Sequence, residues 1–193
     1  LYTGSIAFEA TSAEWGLRIG GIVGGSKDYW TPTIAIENCL SAGAITHKTG
    51  STATPAVAAV YGGFDELRAT TLNLTNVYGT KECFAEARIY HQYKADGGAE
   101  KADLIINGKG TLLAKADLLG TAGYQNTLLD FEDTWVARKD EVPGLKTFGD
   151  NITETVDITK VIRPDRSWYN ADETRQEIKD VADLYGFMQL LLE

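Results

Sequence analysis

The sequence predicts a mainly β fold of the solenoid kind: stacked repeats with glycine corners, followed by an amphipathic C-terminal helix. Gly-Gly pairs recur at Gly20 and Gly21, Gly24 and Gly25, and Gly62 and Gly63, beside β-branched residues such as Ile19, Ile22 and Val23. Glycine corners around short β-branched runs punctuate strands, not helices. The chain also echoes itself: Tyr2-Thr3-Gly4-Ser5-Ile6 returns as Ser41-Ala42-Gly43-Ala44-Ile45 at an offset of 39. Finally, Ile178, Val181, Leu184, Tyr185, Met188, Leu191 and Leu192 recur at three- and four-residue intervals, the period of a helix with one apolar face.

The echo continues beyond the first strand. Gly20-Gly21-Ile22-Val23-Gly24 falls opposite Ala59-Val60-Tyr61-Gly62-Gly63 at an offset of 39, and Ile36-Glu37-Asn38 opposite Leu74-Thr75-Asn76 at 38. Two approximate repeats therefore cover residues 1 to about 80. A fixed period made of short strands suits coils that bury an apolar face only by stacking on their neighbours. Exposed strand edges are then the main hazard of the design.

Phe84 to Tyr93 continues as a strand, with Phe84, Glu86, Arg88, Tyr90 and Gln92 on one face and Ala85, Ala87, Ile89, His91 and Tyr93 on the other. Both faces are mixed, so the inward one is undecided. After the polar stretch 94–101, Leu104-Ile105-Ile106 is a short buried run, and Asn107-Gly108 with Lys109-Gly110 marks a turn. The repeat domain is expected to end by Phe148, giving a first domain of residues 1–149 and a second region, 150–193, of linker, strand and helix. In that region Val156, Ile158, Val161 and Ile162 form the apolar cluster of a polar strip, and Pro164 argues against a long element. Thr174 and Glu177 are spaced as a capping box for the final helix, and Gly186 inside it makes the helix lean on tertiary contacts.

Composition narrows the function classes. The chain is 44% hydrophobic over 193 residues, too apolar for disorder, and its 18 Lys and Arg against 27 Asp and Glu give a net charge of −9. Residues 1–80 carry only −2 of this and the remainder −7. A field of that sign repels phosphate backbones and anionic lipid, so nucleic acid and membrane surfaces are not expected partners. No run approaches the roughly 18 apolar residues of a membrane span, and Leu1 starts without a signal core, as in a segment excised from something longer. Cys39 and Cys83 form no Cys-x-x-Cys or Cys/His set, so no zinc or other metal site is expected; a bridge between them is allowed by count, while Cys39 also suits a buried thiol in an apolar alternation.

A search for chemistry returns little. His47 and His91 have no nucleophile motif beside them, and neither His-Glu-x-x-His nor Gly-x-Ser-x-Gly occurs. The glycine pairs lack the Lys-Ser/Thr of a phosphate loop, so no nucleotide cofactor is expected. Asp130, Glu132 and Asp133 beside Trp135 are the strongest acidic cluster, and paired carboxylates near an aromatic platform are how a glycan hydrolase or lyase is built. Alternation instead turns Phe131 and Trp135 inward and leaves the acids in solvent, an arrangement that needs no catalysis. No catalytic residue is assigned. The loop from Ser26 to Pro32 sets Lys27, Asp28, Tyr29 and Trp30 between a glycine corner and the strand beginning near Thr33. Binding residues concentrate on loops mounted on rigid scaffolds, and Tyr and Trp anchor interfaces and stack on sugars, so these four are the candidate ligand-binding residues. An aromatic plugging the flank of the fold is the structural alternative.

Gly20-Gly21-Ile22-Val23-Gly24 and the stretch from Ile36 through Asn38-Cys39-Leu40-Ser41 to Gly43-Ala44-Ile45 resemble the GLUG repeat of bacterial cell-surface proteins. Phe131 to Trp135 followed by Pro143-Gly144-Leu145 resembles the closing segment of such modules, and the C-terminal helix the opening helix of the next. The second copy departs from the pattern at Val57 to Gly63. The resemblance implies a right-handed β-helix-like fold. It also implies an extracellular or surface-attached protein of the adhesin kind, or the non-catalytic forepart of a secreted immunoglobulin-cleaving protease. The expected function is a non-catalytic binding or display module that engages a host glycoprotein, mucin or immunoglobulin. The alternatives are a hydrolase or lyase using the 130–133 acids and a plain spacer. The apolar stripe of the last helix predicts a monomer or a weak dimer through Leu184, Met188 and Leu191.

Overall fold

The computed structural model describes residues 1–8, 18–25, 33–48, 56–63, 70–91, 104–147 and 154–191. The chain is mainly β, with parallel sheets and a C-terminal helix, and divides into two compact units, Leu1–Lys115 and Ala116–Glu193.

In the first unit the described strands are β1 (Ser5–Phe8), β2 (Arg18–Gly20), β3 (Thr33–Ser41), β4 (Ala44–His47), β5 (Ala56–Ala58), β6 (Thr70–Thr80) and β7 (Leu104–Leu113). They pair only in parallel: β1 with β4, β2 with β5, and a three-stranded sheet in the order β3-β6-β7. Parallel partners cannot be joined by a tight turn and need a long return path. Here that path is one repeat long: Ser5 lies opposite Ala44, Arg18 opposite Ala56 and Thr33 opposite Thr71, separations of 39, 38 and 38 residues. The expected pairing of Ile36-Glu37-Asn38 with Leu74-Thr75-Asn76 at 38 matches this register. The middle segment does not follow its expected offset of 39. Gly20 faces Ala58 and Val23 faces Tyr61, so the offset there is 38 and Gly24-Gly25 is the counterpart of Gly62-Gly63. A third layer follows at shorter spacing, with Tyr61 bridged to Tyr90 and Thr71 opposite Ile105.

Stacking gathers one apolar row from each layer. Ile36, Leu72, Leu74, Val77, Tyr61 and Ile89 form one core cluster, and Phe8, Ile19, Ile45 and Val57 a second. A fully buried aliphatic side chain of this kind contributes about 1.5–3 kcal/mol. Leu74 and Val77 are both buried although an odd number of residues apart, because Asn76 lies at φ 51° and turns the strand; Asn38 does the same one layer earlier at φ 48°. Asparagine tolerates this left-handed region better than most residues. The two amides also meet, Asn76 Nδ2 donating to Asn38 Oδ1 at 3.0 Å, and a second pair forms where Asn107 Nδ2 donates to Asn73 Oδ1 at 2.8 Å.

Two expectations for this unit are corrected. Phe84 to His91 is not a strand: a 3-10 turn at Lys81–Cys83 and a bend lead to a single bridge at Tyr90, and Gln92 and Tyr93 lie outside the described residues. Asn107-Gly108 and Lys109-Gly110 are not a turn but the middle of β7, where the register slips by one residue between Leu74 and Val77 and Gly108 adopts φ +83°. A Cβ there would meet Leu74 O at 2.0 Å, so only glycine lets the strands approach. Among the described residues the parallel pairing ends at Leu113. Both cysteines are free, Cys83 buried and Cys39 half-buried with Sγ donating to Glu37 O, and burial pushes both thiols up.

The second unit holds helix α1 (Thr121–Gln125), the antiparallel hairpin of β8 (Trp135–Arg138) and β9 (Glu141–Leu145), and helix α2 (Val181–Leu190). Its core collects Leu118, Leu129, Phe131, Trp135 and Val142. Residues 154–180 make specific contacts within this unit. Thr155 bridges to Arg138, and Arg163 reaches back to donate from Nε to Tyr124 O and from a terminal nitrogen to Leu129 O, each at 3.0 Å. Its guanidinium lies 4.2 Å from the centre of the Tyr124 ring, a cation–π contact that adds to the two hydrogen bonds.

Helix α2 starts later than Thr174 and Glu177 predict. Asp180 is its N-cap, accepting from Asp183 N at 3.0 Å, while Asp183 accepts from Lys179 N at 2.8 Å. Asp180 thereby satisfies a first-turn amide, the task expected of the Thr174–Glu177 box, while Asp183 reaches back to the amide that precedes the cap. The helix does lean on tertiary contacts at Gly186, as expected, but its leucine stripe faces solvent: Val181, Leu184, Tyr185, Met188 and Leu191 are exposed, and the buried positions are Asp183 and Gly186. Asp165 N donates to Ala182 O, and a Cβ on Gly186 would sit 1.8 Å from Asp165 O. Gly→Ala inside a helix ordinarily stabilises by about 1 kcal/mol. Gly186→Ala is expected instead to destabilise the second unit by about 1–3 kcal/mol, the usual cost of overpacking, as read by urea unfolding followed through Trp fluorescence.

Candidate functional site

Lys27, Asp28, Tyr29 and Trp30 lie outside the described residues, and the described strands on either side of them are paired to the next layer. Val23 bridges to Tyr61 before them, and Thr33 pairs with Thr71 after them. One layer on, residues 64–69 connect the corresponding points, Gly63 and Thr70. The described residues on either side of 26–32 and of 64–69 therefore stand at corresponding positions in adjacent layers.

A cleft of about 480 Å3 opens between the Arg88–Tyr90 segment and β7. Leu74, Ile89, Tyr90 and Ile106 give it apolar walls, and Arg88 and Lys109 line it with cations. Arg88 is ion-paired with Glu86 at 3.0 Å, so half of that charge is answered locally. These residues come from three stretches of sequence, Leu74 and 106–110 brought together by the β6–β7 register and 88–90 by its pairing with Ala59 to Tyr61. No sequence pattern joins them; the mixed faces of 84–93 leave only the inward side of that stretch undecided. The arrangement suits an apolar group flanked by an anion.

The acidic cluster is structural at Asp130. Its Oδ1 accepts from Glu132 N at 2.9 Å and Asp133 N at 3.0 Å, and its Oδ2 from the Thr134 hydroxyl at 3.1 Å. Those hydrogen bonds, that from Asp133 first, hold the carboxyl below the usual aspartate range. A general acid needs a shift in the opposite direction. Glu132 and Asp133 are exposed while Phe131 and Trp135 are buried, although 131–134 is a turn and the strand begins only at Trp135. Among the described residues no group of three or more His, Cys, Asp or Glu is placed to hold a metal ion, and no helix is long and apolar enough to cross a membrane.

The histidines differ. His47 is exposed and stacks on Phe8 with ring centres 4.7 Å apart. His91 is half-buried, and its Nδ1 finds no hydrogen-bond partner among the described residues. Burial, and secondarily the Arg88 charge, push its imidazole below the ordinary value of 6.5. A base whose folded pKa is depressed binds its proton more readily in the unfolded chain. His91 thus favours the fold fully above about pH 6.5, and that contribution falls away as the pH drops toward the folded value. Stability measured from pH 8 to 5 is expected to decline through this window, and His91→Gln to flatten that part of the profile.

No protein-family model matches this chain, and no curated protein or solved structure matches it either.

Proposed function

We propose that the chain is a right-handed β-solenoid segment of a GLUG-like bacterial surface or secreted protein, acting as a non-catalytic binding or display module for an extracellular host protein or glycan. The observation that carries this reading is the in-register parallel pairing of segments 38 or 39 residues apart, continued into a third layer. That is how a solenoid buries its core, each coil covering the next. Strands joined by a parallel crossover take the right-handed form in about 98% of cases. Rigid layers with connecting segments at matching heights favour recognition by loops, and the residues assigned to it are Lys27, Asp28, Tyr29 and Trp30. The commitment of Asp130 to its own turn weighs against the hydrolase or lyase alternative.

The test is binding of the purified chain to arrays of host glycans and secreted host proteins, beside a Tyr29→Ala/Trp30→Ala variant with an unchanged melting temperature. A hit that the variant loses supports a loop-borne site. A hit that the variant retains moves the site elsewhere, with the Arg88–Lys109 cleft next in line. Silence throughout favours a spacer. The exposed stripe of α2 supports weak self-association through Leu184, Met188 and Leu191. Sedimentation velocity is expected to show a concentration-dependent dimer that Met188→Glu abolishes, and a clean monomer at all concentrations would remove this part of the reading.

A further inference from the structure

Asn107-Gly108 is the only Asn-Gly step in the sequence, and it does not form the turn that such a step usually marks. Asn-Gly is chemically the weakest amide step of a protein. The backbone nitrogen of the glycine can attack the asparagine Cγ, and with no Cβ the glycine does nothing to obstruct the approach. In that reaction the N–Cγ bond forms, the Cγ–Nδ2 bond breaks, and ammonia leaves with the proton taken from the glycine nitrogen. Water then opens the resulting five-membered imide at one carbonyl to give aspartate, or at the other to give isoaspartate. Asn107 is exposed to the water this requires, and it lies in β7, the end strand of its sheet. Two features oppose the attack. Asn107 and Gly108 are paired with Asn73 and Leu74 in the β6–β7 ladder, and the departing nitrogen, Nδ2, is held by Asn73 Oδ1 at 2.8 Å.

We infer that Asn107-Gly108 is a latent site of spontaneous deamidation, held closed by the Asn73 side chain and by β6–β7 pairing. Local opening of the end strand exposes it, as edge elements open more readily than the core. Conversion to aspartate sets a carboxylate against Asn73 Oδ1. Conversion to isoaspartate threads the backbone through the former side chain and adds a methylene at the point where the β6–β7 register already slips. Either product weakens the third layer, so the step records how often that layer has opened. This inference is independent of the binding role.

The experiment follows Asn107 conversion by peptide mass spectrometry in the whole chain at mildly alkaline pH. It compares the native protein, the same protein in urea, and the variants Asn73→Ala, Asn73→Asp and Asn38→Gly. Conversion is expected to be slow in the native fold and fast in urea. Asn73→Ala should accelerate it on the order of fivefold, the effect of losing one hydrogen bond of ordinary strength. Asn73→Asp keeps an acceptor for Nδ2 and should stay slow. Asn38→Gly removes the other amide pair of the same sheet and should leave the rate unchanged, which separates local guarding from general loosening. Equal rates in the native protein and Asn73→Ala, equal acceleration in Asn38→Gly, or a native rate matching that in urea would each overturn the inference. If Asn73→Ala does not fold, a fast Asn73→Asp overturns it and a slow one upholds it.

Discussion

Backbone pairing between segments far apart in sequence is the constraint on which the first unit rests. β1, β2 and β3 are too short and too mixed in polarity to be stable alone. Each acquires an inner face only when its counterpart 38 or 39 residues later lies in parallel beside it. A slip of one residue would turn every side chain of a strand to the opposite face, so a buried row such as Ile36, Leu72 and Leu74 specifies register strongly. The left-handed residues obey the same constraint. Asn38 and Asn76 turn their strands at the same height, and because they are stacked their amides satisfy each other.

Much of this was legible in the sequence where polarity alternates. Ile36-Glu37-Asn38 and Leu74-Thr75-Asn76 carry inward, outward and turning residues in the same order, and their register could be read directly. Ala56 to Tyr61 is buried throughout, so no alternation fixes its phase, and the glycine pairs alone misplaced it by one residue. Asn107-Gly108 has the local chemistry of a hairpin turn, yet β6 alongside holds it in a strand, a case of tertiary pairing overriding local preference. Thr174 and Glu177 have capping spacing, but the Asp180–Asp183 pair lies where the helix backbone can dock on Asp165. The cleft was illegible for a different reason: Leu74, Arg88 and Ile106 become neighbours only once the third layer is in place.

The second unit is held by latches more than by repetition. Arg163 ties a polar segment to Tyr124 and Leu129 through carbonyls and an aromatic face, without a carboxylate partner in those contacts. Gly186 then admits the Asp165 carbonyl against α2. Neither contact has a periodic signature. A glycine inside a helix is a local cost, and here it is a point of attachment, as Arg163 is in the polar strip.

The spacing between layers has a consequence for how such a chain can vary. Between the first two layers it is 38 or 39 residues, but between the next two it falls to 29 at Tyr61 and Tyr90 and to 34 at Thr71 and Ile105, while the strands remain parallel. The frame therefore counts rungs and not residues. Insertions and deletions confined to the stretches between rungs leave the scaffold intact, so length there is a free variable, and foreign sequence grafted at those points inherits a fixed position without disturbing the layers above or below.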